Sequence, residues 1–134
     1  MHISLALALY LALDLAWFSA AVPRLYAPAF RAVQGLAPGA PLRFRLAYAA
    51  PAYALLGAGL WYFVWRPCRT RAAAARAAAA LALLVYGTYN LTNLATLHAY
   101  PVSVALADTA WGLVAFGLVA QAGFYHHGST FEVR

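Results

Sequence analysis

Two of the three acidic residues in this 134-residue chain, Asp14 and Asp108, stand inside apolar runs and share one spacing: "LDLAW" and "ADTAW" each place an acid three residues before a tryptophan. An indole N–H donates a hydrogen bond and accepts none, while an ionised carboxyl only accepts. Asp14 with Trp111, and Asp108 with Trp17, are therefore complementary pairs if the two segments run antiparallel. A third polar stretch, "YGTYNLTNLAT", sets Tyr86, Tyr89, Asn90 and Asn93 on one helical stripe, with Thr88, Thr92 and Thr96 as a four-spaced ladder beside it. Carboxyls, amides, phenols and indoles together suit three tasks: binding a ligand, handling a proton, or gluing helices to one another.

The elements that hold these groups follow from composition. The chain is 66% hydrophobic and only 9% charged, whereas soluble domains average about 25% charged residues. It reads as an integral membrane protein. Four apolar segments, Ile3–Val22, Leu46–Trp65, Ala74–Leu97 and Val102–Tyr125, have the roughly 20 residues needed to cross a hydrocarbon core of about 30 Å. The expected fold is all-α: one domain over residues 1–134, with four transmembrane helices in an up-down bundle and a longer first loop.

Helical rise then gives depth. Measured from the side where the first and third spans end, Asp14 and Trp111 fall at about 12 and 14 Å, and Trp17 and Asp108 at about 8 and 9 Å, at ~1.5 Å per residue. Tyr89, Asn90 and Asn93 share that half of the bilayer. An unpartnered Asp there costs about 2.5 to 3.5 kcal/mol, so partners are expected. Gly87, Gly112 and Ala115 would let helices approach closely. Asn90-Leu91-Thr92 matches a glycosylation acceptor pattern, but at membrane depth the match is accidental.

The net charge of +6 comes from nine arginines. They flank the spans rather than lining a soluble face, so they point to membrane lipids as partners and not to nucleic acid. Arg24, Arg31, Arg43 and Arg45 lie in the first loop, with Arg43 and Arg45 expected to face lipid headgroups. Arg66, Arg69, Arg71 and Arg76 lie near the second connection, on the same side as Arg134, and this small excess favours cytoplasmic termini. Trp61, Tyr62, Trp65 and Arg66 read as an interfacial aromatic belt, and "AFRAVQGL" as a short interfacial helix ended by Gly35. The N-terminal run lacks the basic start of a signal peptide and contains Asp14, so a retained helix is expected. Lone Cys68 gives no disulfide and no metal spacing, His126-His127 suits a helix C-terminus, and nothing suggests a cofactor.

"LDLAW", "YGTYNLTNLATL" followed by the aromatic-Pro pair "YP", and "DTAWG" together resemble the membrane-protein family called domain of unknown function 2177. The resemblance implies a four-helix membrane protein, mostly bacterial, without an assigned activity. The family pattern carries an Asp at the position of Asn90 and a Trp at that of Tyr100, so a third carboxyl is missing here. The first expectation is a binding protein or accessory subunit whose pocket of Asp14, Trp17, Tyr86, Tyr89, Asn90, Asn93, Asp108 and Trp111 takes a lipid-like or small polar ligand. The alternatives are a small proton-coupled transporter, dimeric because four thin helices enclose little volume, and a structural protein whose polar groups are glue. A membrane enzyme is disfavoured, since the chain has no nucleophile-base pair, metal set or phosphate loop.

Overall fold

The computed structural model describes residues 2–128, with side chains over residues 4–124. Six α-helices run in order: α1 (His2–Ala21), α2 (Ala27–Val33), α3 (Ala49–Gly59), α4 (Arg71–Ala82), α5 (Thr88–Thr96) and α6 (Val102–Gly128). Wide π turns extend or join them at Val22–Tyr26, Leu60–Trp65 and Leu83–Gly87. Four continuous helical stretches result, Ser4–Val33, Leu46–Trp65, Arg71–Thr96 and Val102–Phe124, each long and apolar enough to cross a membrane. This is an all-helical, multi-pass membrane fold, and among the described residues it contains no strand.

The first span runs past its expected end at Val22. Neither Pro23 nor Pro28 stops it: Pro23 sits in a π turn and Pro28 in the first turn of α2. The short helix anticipated around Phe30 is thus the last part of this span. Its stop is as expected: Gly35 takes a positive φ of 64°, Gly35 N–H bonds Ala32 O at 3.2 Å, and Leu36 N–H bonds Arg31 O at 2.8 Å. Those two bonds form a Schellman motif. Beyond it the loop is pinned where the Gln34 side chain both donates to and accepts from the Arg43 backbone, each at 3.0 Å.

Helix α6 packs against both α1 and α4. Two apolar clusters fill the interior. One centres on Tyr10, Leu60, Val64 and Phe116, and the other on Tyr26, Tyr100 and Val104. Along each helix the buried polar residues Asp14, Asn90 and Asp108 fall between the two. Large apolar side chains such as Leu15, Leu55, Leu84, Leu91 and Leu106 are exposed, as lipid contact requires. Since lipid is as apolar as leucine, association rests on close packing and polar contacts.

Small residues supply the packing. Ala74, Ala78 and Ala82 are fully buried, and a Cβ on Gly112 would overlap the Tyr86 ring. Gly123 lies equally close beneath Trp65, whose indole donates to Ala120 O at 3.1 Å. Trp65 therefore leaves the expected aromatic belt and turns inward, because the π turn Leu60–Trp65 points it at the notch over Gly123. Trp61 and Tyr62 stay outside, with the Arg66 guanidinium over both rings at 5.8 and 5.3 Å. Gly87, expected at a close approach, has nothing within 4 Å of a would-be Cβ. Arg134 and the side chains of His126 and His127 lie outside the described residues.

Candidate functional site

Asp14 lies one helical turn after Tyr10 and faces the centre of the bundle. It accepts from Trp111 Nε1 at 2.7 Å through one oxygen and from the Tyr53 hydroxyl at 2.7 Å through the other. The first bond is the α1–α6 pair anticipated from the shared spacing. The second brings in α3, which sequence reasoning left out.

The other anticipated pair is bridged. Trp17 Nε1 reaches the Tyr26 hydroxyl at 3.2 Å, and that hydroxyl donates to Asp108 Oδ1 at 3.1 Å. The direction is forced, since indole only donates and Tyr26 must pass its own proton onward. Trp17 is kept from Asp108 because it stacks on Trp111, with centroids 4.8 Å apart and planes 3° from parallel. The π turn Val22–Tyr26 swings Tyr26 back into the gap.

Asn90 holds the second oxygen of Asp108. Its Nδ2 lies 2.8 Å from Asp108 Oδ2, 2.9 Å from Tyr86 O and 3.2 Å from Thr109 Oγ1, while its Oδ1 accepts from the Tyr100 hydroxyl at 2.6 Å. The backbone carbonyl of Tyr86 can only accept, which fixes the orientation of the amide. Tyr100, in the turn between α5 and α6, has its pKa pushed up to about 12 by burial, so it remains a donor at neutral pH. Asn90 and Tyr100 are thus partners of each other.

Between these acids lies a cavity of about 410 Å³, lined by Asp14, Asp108 and six tyrosines, Tyr10, Tyr26, Tyr53, Tyr86, Tyr89 and Tyr100, with apolar residues such as Phe18, Phe30, Leu56 and Val85 between them. Tyr10 and Tyr86 meet hydroxyl to hydroxyl at 2.6 Å. One donates to the other, so the pair retains an O–H to offer elsewhere. The mouth lies between the second and third spans, where Ala52 and Tyr89 are exposed. A second hollow of about 340 Å³ shares Ala52, Leu56 and Val85 with it, so the opening continues as a groove between those spans.

Of the residues singled out from sequence, Asp14, Asp108, Tyr86 and Tyr89 line the cavity, and Trp17, Trp111 and Asn90 stand behind it as hydrogen-bond supports. Asn93 is half-buried beside Tyr100. The threonine ladder turns to lipid, and Thr96 bonds back to Thr92 O at 2.8 Å. Arg43 and Arg45 are exposed and do not line the cavity. Arg45 donates to the Tyr48 hydroxyl at 2.9 Å, one residue before Ala49 of the lining. Sequence reasoning missed Tyr10, Tyr26, Tyr53 and Tyr100. The four-residue spacing from Tyr10 to Asp14 was a usable signal for the first. Tyr26 and Tyr100 sat in segments read as loop, and Tyr53 in a span with no other polar residue at that level.

These features define a small four-span membrane protein with a polar, aromatic cavity at one level of an apolar bundle. The family described as predicted membrane protein (DUF2177) matches residues 1–125, and the chain belongs to it. No curated protein and no solved structure matches the chain.

Proposed function

We propose that this protein binds an amphipathic ligand within the membrane, either as a binding protein in its own right or as the ligand-holding subunit of a larger assembly. The observation carrying this reading is the cavity of about 410 Å³, which falls within the ~300–1,000 Å³ range of small-molecule sites. Its polar groups converge from α1, α3, the third span and α6, while its mouth faces lipid. A ligand with an apolar tail would leave the tail in the groove between the second and third spans and present its head to Asp14, Asp108 and the tyrosines. Arg43 and Arg45, exposed in the first loop, would meet anionic headgroups of the surrounding lipid.

Native mass spectrometry of the protein released from membranes tests this. A retained small molecule or selected lipid is expected, reduced in Asp108→Asn. A bare protein, the same in both forms, would sink the reading. A second reading has its own observation: the Trp111–Asp14 and Asn90–Asp108 bonds each join two spans, so the acids also hold the bundle together. If that is their whole role, Asp14→Asn and Asp108→Asn lower thermal stability and leave any bound molecule unchanged.

We also propose that both termini are cytoplasmic, on the arginine balance described above. Cys68 is the sole cysteine and partly exposed, on the side of the termini, and so reports orientation directly. In intact cells a membrane-impermeant maleimide should leave Cys68 unlabelled, with labelling appearing on lysis. Equal labelling before lysis would reverse the orientation.

A further inference from the structure

Among the described residues, four hydrogen bonds enter the two acids, and all come from neutral groups: an indole (Trp111), two phenols (Tyr53 and Tyr26) and an amide (Asn90). None supplies a positive charge. Buried carboxylates without a counter-ion are costly, and at membrane depth more so. Among the described residues, the cavity wall between them carries no arginine or histidine, only acids, phenols and apolar groups. That wall repels an anion. To a cation it offers two carboxyls and six tyrosine rings, the residue types from which aromatic cages for ammonium groups are built. The chain uses the same attraction on its surface, where the Arg45 guanidinium sits 4.6 Å over the Tyr48 ring.

Geometry favours an ammonium over a bare metal ion. The carboxyl oxygens are already engaged by tyrosine, tryptophan and asparagine donors, whereas ring faces recognise a bulky, weakly hydrated cation without displacing those bonds. The groove between the second and third spans, walled by Leu55, Leu56, Leu81 and Val85, continues from the mouth and is apolar. It would hold a hydrocarbon chain attached to the cation. From this placement we infer that the ligand is an amphiphile with an ammonium head, which reaches Asp14 and Asp108 sideways from the lipid between the second and third spans. This rests on the binding function proposed above and narrows it to one chemical class.

The test compares two probes of equal chain length, dodecyltrimethylammonium and dodecanol, added to the full-length protein in maltoside micelles, with adducts counted by native mass spectrometry. The ammonium should bind about tenfold or more tightly than the alcohol. That preference should vanish in Asp14→Asn/Asp108→Asn. Tyr89→Leu removes a ring at the exposed mouth with no buried hydrogen bond at stake, so it should fold even if the double variant does not. It should weaken the ammonium more than the alcohol.

Equal binding of the two probes to the unaltered protein would overturn the inference and leave the binding function standing. Adducts of neither would overturn both. A preference that survives in a folded double variant would also overturn it. Phosphatidylethanolamine added to the micelles separates the sources: displacement of the probe assigns the ammonium to a lipid headgroup, undiminished probe binding assigns it to a free amine, and either result supports the proposal.

Discussion

Asn90→Leu is expected to be the most damaging single substitution in the bundle. Leucine matches asparagine in side-chain heavy-atom count and branching, so the shape is roughly kept although its methyls are bulkier, and the main loss is chemical. Asp108 Oδ2 loses its donor and the Tyr100 hydroxyl loses its acceptor, both at buried positions. A stranded buried polar group costs about 1–3 kcal/mol, and here there are two. That exceeds the roughly 0.6 kcal/mol average for removing one hydrogen bond between membrane helices, because two partners are orphaned together. Thermal unfolding in a mild detergent should show a large drop for Asn90→Leu and a small one for Thr92→Val, which lies on the exposed face of the same helix. Equal losses would mean that Asn90 acts through helix propensity and not through its partners.

Gly112→Ala is expected to come second, by a steric route. The added methyl would overlap the ring of Tyr86, and Tyr86 also bonds Tyr10 and packs edge-on against Phe116 with centroids 5.6 Å apart. The ring cannot yield without giving up those contacts, so a cost of about 1–3 kcal/mol is expected from overpacking. Gly87→Ala is the matched control: the same change, one glycine in a helix, with open space around the new methyl. It should be neutral or stabilising by up to about 1 kcal/mol from helix propensity. The pair of unfolding measurements isolates contact from propensity. A loss in Gly87→Ala as large as in Gly112→Ala would contradict the account.

Spans and depth were legible in the sequence because both follow from fixed quantities: the apolar length needed to cross a bilayer and the rise per residue of a helix. That reasoning set Asp14 level with Trp111, and the two are bonded. It also set Asp108 near Trp17, where it missed the intermediary. Tyr26 is inserted between them by a wide turn containing Pro23, and no rule of regular periodicity anticipates that turn. Trp65 was misread for the same reason, since its inward direction depends on the π turn Leu60–Trp65. Tyr53 was missed on other grounds. A phenol in an apolar helix is ambiguous until the facing helix is known, and the partner carboxyl is 39 residues away in the chain. A polar pocket was legible, and Asp14, Tyr86, Tyr89 and Asp108 line it, but its mouth was not, because the mouth is a gap between two helices and gaps leave no mark on periodicity.

The wide turn at Leu83–Gly87 has a consequence for phase. Ala74, Ala78, Ala82, Tyr86 and Asn90 follow one another at steps of four, and all but the half-buried Tyr86 are fully enclosed. On a regular helix each such step drifts by about 40°, so Asn90 would end about 160° from Ala74, on the opposite side of the rod. One surplus residue in the wide turn takes back about 100° of that drift. The alanine seam that grips α6 and the asparagine that grips Asp108 can therefore share a single line of contact. In a relative that lacks the surplus residue, the polar motif beginning at Tyr86 would have to be written one position earlier to keep the same neighbours.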